Sequence, residues 1–220
     1  MNALPALSLL ETRVLGVLVE KEHTVPDSYP LTLNALLSGC NQKTSRDPVI
    51  EAQESEVQSA IDHLKTLSLV VESSGGRVMR YAQNVRRVLN LPSQSVALLA
   101  ILFLRGPQTA GELRINSDRL HKFVDISSVE AFLEELAERP AGALVRVLPK
   151  LPGAREARWV HLISGEPTAA MMDPNAAPAP DAVTVSELAA LRANVDHLQA
   201  EMASLRETVD KLCKELGTTP

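Results

Sequence analysis

The chain has 220 residues, of which 45% are hydrophobic and only 3% aromatic, so its core must be built mainly from aliphatic side chains. Its formal net charge of −5 belongs to the C-terminal tail: residues 164–220 hold 4 Lys and Arg against 9 Asp and Glu, whereas residues 1–163 hold 18 against 18. A strong nucleic-acid binder usually carries a clear basic excess, so any DNA contact must come from a local patch.

The sequence predicts a cytoplasmic protein. No apolar run approaches the roughly 20 residues that a membrane-spanning helix needs, and the N-terminus lacks the basic and then apolar pattern of a signal peptide. Cys40 and Cys213 lie in different segments, with neither a disulfide framework nor a metal-ligand spacing. We therefore expect a reducing compartment and no metal site.

The first 90 residues predict three helices followed by a hairpin. Ser8 and Glu11 have the spacing of a capping box, which marks the start of a helix with one apolar stripe. Two adjacent glycines between short apolar runs predict the turn of the hairpin, because glycine tolerates positive φ. The predicted elements are a first helix to about Glu22, a second over 31–42, a third from about Ser55, and strands over 67–71 and 77–83.

Residues 93–163 repeat this order. Ser93 opens a helix that Gly106-Pro107 closes, and Thr109 caps a short second helix. The third helix is predicted to be capped by Ser127 or Ser128, and strands follow over 144–148 and 157–162. Three helices and a hairpin in this order are the winged-helix plan. The sequence therefore predicts a mainly α fold with small β-hairpins, made of winged-helix domains over 1–90 and 91–163.

The tail predicts a linker and a coiled coil. Residues 164–182 are rich in Pro and Ala, which favours a semi-rigid spacer. Over 183–217 apolar residues recur in steps of three and four, with Leu at every d position, a pattern that favours a parallel dimer. The alternative is an amphipathic helix that folds back on its own domains. The predicted dimerisation residues are Leu188, Leu191, Val195, Leu198, Met202, Leu205, Val209, Leu212 and Leu216.

Three stretches carry a resemblance to a known family. They are LLETRVLGVLVEK over 9–21, SYPLTLNAL over 28–36 and CNQKTSRDPV over 40–49. They resemble the YceH-type family of bacterial proteins, whose function is not assigned. The resemblance covers about residues 7–163 and implies a tandem winged-helix fold, but it brings no ligand and no site residues.

A winged-helix fold suggests DNA binding, but the third helices are acidic. In a helix-turn-helix this helix enters the major groove, where Arg, Lys, Asn and Gln read base edges. The first repeat offers Gln58, Ser59, His63 and Lys65 among Glu54, Glu56 and Asp62. The second carries Glu130, Glu134, Glu135 and Glu138, which phosphates would repel.

Basic residues lie instead in the loop before the third helix of the first repeat, and on or just after the hairpin of that repeat. This hairpin is the candidate wing of the winged-helix fold. The candidate DNA-binding residues are Lys43, Arg46, Arg77, Arg80, Arg86 and Arg87. We expect a dimeric, transcription-associated protein that grips phosphates through these side chains. The alternatives are ordinary surface charge, or a protein–protein adaptor like the tandem winged helices of chromosome segregation–condensation complexes. Convergence of the six residues on one face would favour DNA, and scatter would favour the adaptor.

An enzyme is the class that the sequence supports least. None of the five histidines has a catalytic or metal-ligand pattern, and we expect them to be ordinary surface residues. Cys40 lacks a placed base, so a small buried residue is expected rather than a nucleophile. No phosphate loop follows the Gly75-Gly76 turn, and no cofactor is predicted.

Overall fold

The computed structural model describes residues 4–73 and 78–172. The described part of the chain is a mixed α and β structure in which helices predominate. Several predictions lie outside it, namely the turn that includes Arg77, most of the linker, and the heptad segment 183–217 with all nine predicted dimerisation residues. No described helix is long and apolar enough to cross a membrane.

The described part of the first half contains four α-helices and a three-stranded antiparallel sheet in the order β1-β3-β2. Tyr81 of the middle strand pairs with Leu31 on one side and with Glu72 on the other. The elements are α1 (Leu9–Thr24), a 3-10 turn (Pro26–Ser28), β1 (Leu31–Thr32), α2 (Leu33–Cys40), α3 (Glu54–Thr66), β2 (Val70–Ser73), β3 (Arg80–Gln83) and α4 (Val85–Val88).

The predicted start of α1 is confirmed, whereas the start of α2 was placed too early. Ser8 Oγ accepts from the Glu11 amide at 3.3 Å, and the Ser8 amide donates to the Glu11 carboxylate at 2.6 Å. Leu31 and Thr32 do not open α2. They form β1, and the Thr32 hydroxyl caps the helix by accepting from the Ala35 amide. A β-branched residue suits both the strand and the cap.

The second half repeats this order with a smaller sheet. Its elements are α5 (Ser93–Arg105), α6 (Ala110–Asn116), α7 (Ile126–Ala137), β4 (Val145–Val147), β5 (Trp159–His161) and α8 (Ala169–Met172). An isolated antiparallel bridge joins Gln108 to Trp159 just before α6, at the place that β1 occupies before α2. The cap of α7 is Asp125 rather than Ser127 or Ser128, since its carboxylate accepts from both the amide and the hydroxyl of Ser128.

The two halves share one core because α1 packs against α5. Every residue of Glu11–Val19 in α1 and of Ser95–Leu104 in α5 is buried. Both helices are therefore covered by the protein on all sides over these runs. A Cβ on Gly16 would meet the Leu104 side chain at 2.8 Å, which shows how closely the two helices approach. The single-stripe prediction for α1 was therefore wrong: α2 and α3 cover one side of the helix and α5 covers another.

Candidate interaction surfaces

Arg46, one of the predicted phosphate contacts, is buried. Its side chain has no exposed area, and two of its nitrogens reach the Glu20 carboxylate at 2.7 and 3.2 Å. Its Nε donates to the Gly39 carbonyl at 3.1 Å. Burial raises the pKa of Glu20, but the hydrogen bond and charge of Arg46 hold the net pKa below its usual value. Arg46 therefore links the loop after α2 to α1 through this ion pair. Because its side chain is buried, the predicted contact of Arg46 with a phosphate is wrong.

A second arginine, Arg13, is completely buried beside Arg46. Its two terminal nitrogens donate to the carbonyls of Cys40 at 3.2 Å and Pro48 at 2.6 Å. Burial lowers the pKa of Arg13, and the charge of Arg46 lowers it further. Burial also raises the pKa of the Cys40 thiol to about 12, so at neutral pH Cys40 is protonated. The prediction of a small buried cysteine is confirmed.

The accessible basic candidates within the described ranges lie on three different elements. Lys43 is exposed in the loop after α2. Arg80, on β3, is exposed but donates to the carbonyls of Ser28 and Pro30 at 3.3 and 2.8 Å, so its guanidinium is held against the approach to β1. Arg86 and Arg87 are exposed on α4. This helix follows the C-terminal end of β3, which is the end opposite the hairpin turn.

Arg86 and Arg87 border a polar cleft of about 730 Å³ that is also lined by Asn84 and Asn90, and no residue of its described lining carries a carboxylate. Neither arginine side chain makes a hydrogen bond or ion pair to another residue in the described ranges. Of the six predicted cations, this pair is therefore the one group that the described structure both exposes and brings together.

The polar residues of α3 that were considered for base reading all make interactions within the protein, either inside their own helix or with other elements. The Gln58 amide binds Asp62 and accepts from the Tyr81 hydroxyl. The Ser59 hydroxyl donates to the backbone of its own helix. His63 contacts Glu11, and Lys65 is paired with Glu72 and Asp62. Each of these side chains would have to break an existing interaction before it could contact a base edge.

The corresponding helix of the second half presents an acidic surface. Val129, Leu133 and Leu136 face the core, and four glutamates remain exposed. We call these four residues the acidic face: Glu130, Glu134, Glu135 and Glu138. None of their side chains pairs with a cation within the described ranges. The sequence-based expectation of a solvated or partner-facing helix agrees with this placement.

Three exposed aliphatic residues lie on α6, at the start of α7 and in the loop between these helices. Val124 and Ile115 are 85% and 72% exposed, and Ile126 is 41% exposed at the first position of α7. Ile126 precedes Glu130 and Glu134 in steps of four, so the three side chains follow one side of the helix. Arg114 Nη2 donates to the Val124 carbonyl at 3.1 Å and thereby joins α6 to this loop. We call Ile115, Val124 and Ile126 the aliphatic rim.

The sequence predictions did not identify the aliphatic rim or the burial of His161. Ile115 follows an arginine on a short helix, and a single exposed aliphatic residue has no periodicity that would mark it. His161 lies in β5 as predicted, but it is partly buried and its ring stacks edge-on against Phe103 with centroids 5.0 Å apart. Burial lowers the pKa of His161 to about 4.

Comparison with known proteins places the chain in a family. The family model described as "Protein of unknown function, DUF480" matches residues 7–154. A UPF0502 protein of Methylibium petroleiphilum is 60% identical over 215 residues, and the alignment covers 98% of this chain and 92% of that protein. A UPF0502 protein of Dechloromonas aromatica is 59% identical over 199 residues, with 90% and 92% covered, and one of Burkholderia orbicola is 57% identical over 217 residues, with 98% and 92% covered. The chain therefore belongs to the DUF480/UPF0502 family of uncharacterised bacterial proteins, the same family as the YceH type.

Proposed function

We propose that this protein is a non-catalytic adaptor that uses two tandem winged-helix modules to dock other proteins, with the acidic face of α7 as its main contact. The repeated element order supports the two modules, since both halves place a paired residue before the second helix and a hairpin after the third. Four exposed glutamates lie where a DNA-reading helix would carry cations, and this observation carries the proposal.

The chemistry of the surface defines the partner. In a protein interface an apolar centre is bordered by polar residues. Here the residues named the aliphatic rim would form the apolar centre, and the acidic face would form part of the polar border. The matching surface would present Lys or Arg opposite the acidic face and an apolar side chain against Ile115 and Val124. Phosphate groups of DNA would be repelled by the same glutamates.

Affinity capture from a nuclease-treated lysate tests the proposal. The charge-reversed variant Glu130→Lys with Glu134→Lys should lose a partner that the wild-type chain retains, with recovery reduced about tenfold, corresponding to about 1.4 kcal/mol. The matched control is Glu51→Lys with Glu54→Lys, which reverses two exposed charges on the other half of the chain. Retention of the partner by the α7 variant, or its loss on nuclease treatment of the wild type, would contradict the adaptor.

DNA binding is the second candidate, and the pair Arg86 and Arg87 favours it. Two guanidinium groups without a partner among the described residues lie beside a cleft whose described lining has no carboxylate, and such a pair can contact two phosphates. Fluorescence anisotropy with a duplex at about 50 mM salt measures this directly. If the pair contacts phosphates, Arg86→Ala with Arg87→Ala weakens binding and lowers the salt slope by about 2, whereas Arg155→Ala with Arg158→Ala does not. No wild-type binding would remove this candidate.

A further inference from the structure

A small cleft of about 170 Å³ lies where the two halves meet, between the end of α1, the loop after α2, and the ends of α5 and α6. Lys21, Arg105 and Arg119 contribute three positive charges to its lining, and Ile101 and Leu104 contribute apolar surface. None of these residues belongs to the acidic face or the aliphatic rim.

The described lining of the cleft holds three cations and one carboxylate, which belongs to Glu20. Glu20 accepts from Arg46 at 2.7 Å and lies 3.0 Å from Lys21 Nζ. Arg105 is held in place by donating to the Ser45 hydroxyl at 2.7 Å. Arg119 is exposed and makes no side-chain hydrogen bond or ion pair to another residue of the described ranges. Cations that line one cleft attract an anion, and Arg offers a forked donor for carboxylate or phosphate.

The loop that closes the cleft is held in an unusual conformation. Ser45 has φ of 59°, in the left-handed region that non-glycine residues seldom adopt. The buried guanidinium of Arg46 fixes the next residue to α1, and the Asp47 amide donates to the Leu104 carbonyl of α5 at 2.8 Å. Such strain persists where the surrounding structure imposes it, and it is concentrated at ligand sites.

We propose that this cleft binds a small organic anion, with a phosphate or carboxylate group on Arg105 and Arg119 and a short apolar part against Ile101 and Leu104. The volume matches about six water molecules, so the site suits a small metabolite-sized anion and is too small for a nucleotide. A ligand there would contact both halves of the chain and would make them harder to separate.

Calorimetric titration of the full chain with inorganic phosphate, propyl phosphate and butyrate, at constant ionic strength, tests the site. Binding should be accompanied by a rise in Tm, and propyl phosphate should bind at least threefold more tightly than inorganic phosphate because of the apolar wall. Comparison of propyl phosphate with butyrate shows which head group the cleft prefers. Arg119→Gln should weaken binding at least tenfold, and since Arg119 is exposed, the variant should fold normally.

Lys21→Gln removes another positive charge from the same cleft and serves as a second test of weakened anion binding. Arg87→Gln is the matched control because it removes an exposed arginine from a different cleft. Absence of binding by all three anions at about 10 mM would overturn the proposal, because it excludes even millimolar affinity. Equal weakening by Arg119→Gln and Arg87→Gln would also overturn it, because the effect would then be one of general surface charge. Neither result bears on the α7 surface.

Discussion

At the scale of single residues, His161 shows how burial changes the chemistry of an otherwise ordinary side chain. Burial lowers its pKa from the ordinary histidine value of 6.5 to about 4. The unfolded chain therefore takes up a proton from about pH 6.5 downward, whereas the folded protein resists protonation until about pH 4. The stability that comes from keeping His161 neutral is fully present above pH 6.5 and is lost as the pH falls toward 4.

Replacement of His161 by Phe should flatten the pH dependence of stability. Between pH 7.5 and pH 5 the wild type should lose about 2 kcal/mol of unfolding free energy that the His161→Phe variant keeps. Urea unfolding at a series of pH values measures this difference. His161→Gln has a different size and polarity but cannot take up the proton either, so its slope should match that of His161→Phe. Slopes equal to the wild type in both variants would refute the shift.

At the scale of elements, the end of α3 is a Schellman cap without its usual glycine. The Leu69 amide donates to the Leu64 carbonyl and the Ser68 amide to the Lys65 carbonyl, while Ser68 has φ of 59°. This cap explains why the predicted strand over 67–71 begins only at Val70. A left-handed serine gives no sequence signal for a helix end, because glycine is the residue that marks this position.

Ser68→Gly should stabilise the protein by about 1 kcal/mol, since it removes the left-handed penalty of a side-chain-bearing residue. Ser59→Gly is the matched control, because Ser59 lies in the interior of the same helix and the change should destabilise by about 0.5–1 kcal/mol there. Thermal and urea unfolding of both variants give the two signs. Destabilisation by Ser68→Gly would show that the cap does not form as described.

Element order was predictable from the sequence because caps and helix breakers are local signals. Ser8 with Glu11 and Thr109 with Glu112 both form capping boxes in the structure. The burial of Arg46 was not predictable, because its partner Glu20 lies 26 residues away and meets it only through packing. For α5 a signal was present: the unbroken apolar run over 96–104 indicates a helix buried on all sides.

At the scale of the whole molecule, the heptad tail remains a prediction, since residues 183–217 lie outside the described ranges. The relative from Burkholderia orbicola aligns over 98% of this chain, so the alignment extends into the tail. We expect the full chain to scatter light as a dimer, at twice its 23.8 kDa mass, and a chain ending at Gly165 to scatter as a monomer. Two monomers, or two dimers, would exclude the tail as the dimerisation element.

Of the five predicted cations within the described ranges, Arg86 and Arg87 are the two that border the same cleft. Arg46 is buried and Arg80 is held by backbone carbonyls, so the pair on α4 and Lys43 remain as separate features among the described candidates. Scatter of the six residues is the sequence-based criterion that favours an adaptor over a DNA-binding protein, and the burial of Arg46 removes one of the six from any accessible basic face. Under the adaptor proposal, the acidic face of α7 is the docking surface, and the basic cleft at the end of α1 is a separate site.

Photocrosslinking inside the cell tests the central claim most directly. A benzoylphenylalanine in place of Ala131, an exposed α7 residue beside Glu130, should give a discrete protein adduct that survives nuclease treatment. The same group in place of Ser59, exposed on α3, should give none. Absence of an adduct at position 131, or an adduct that nuclease removes, would contradict the account that α7 docks a protein partner.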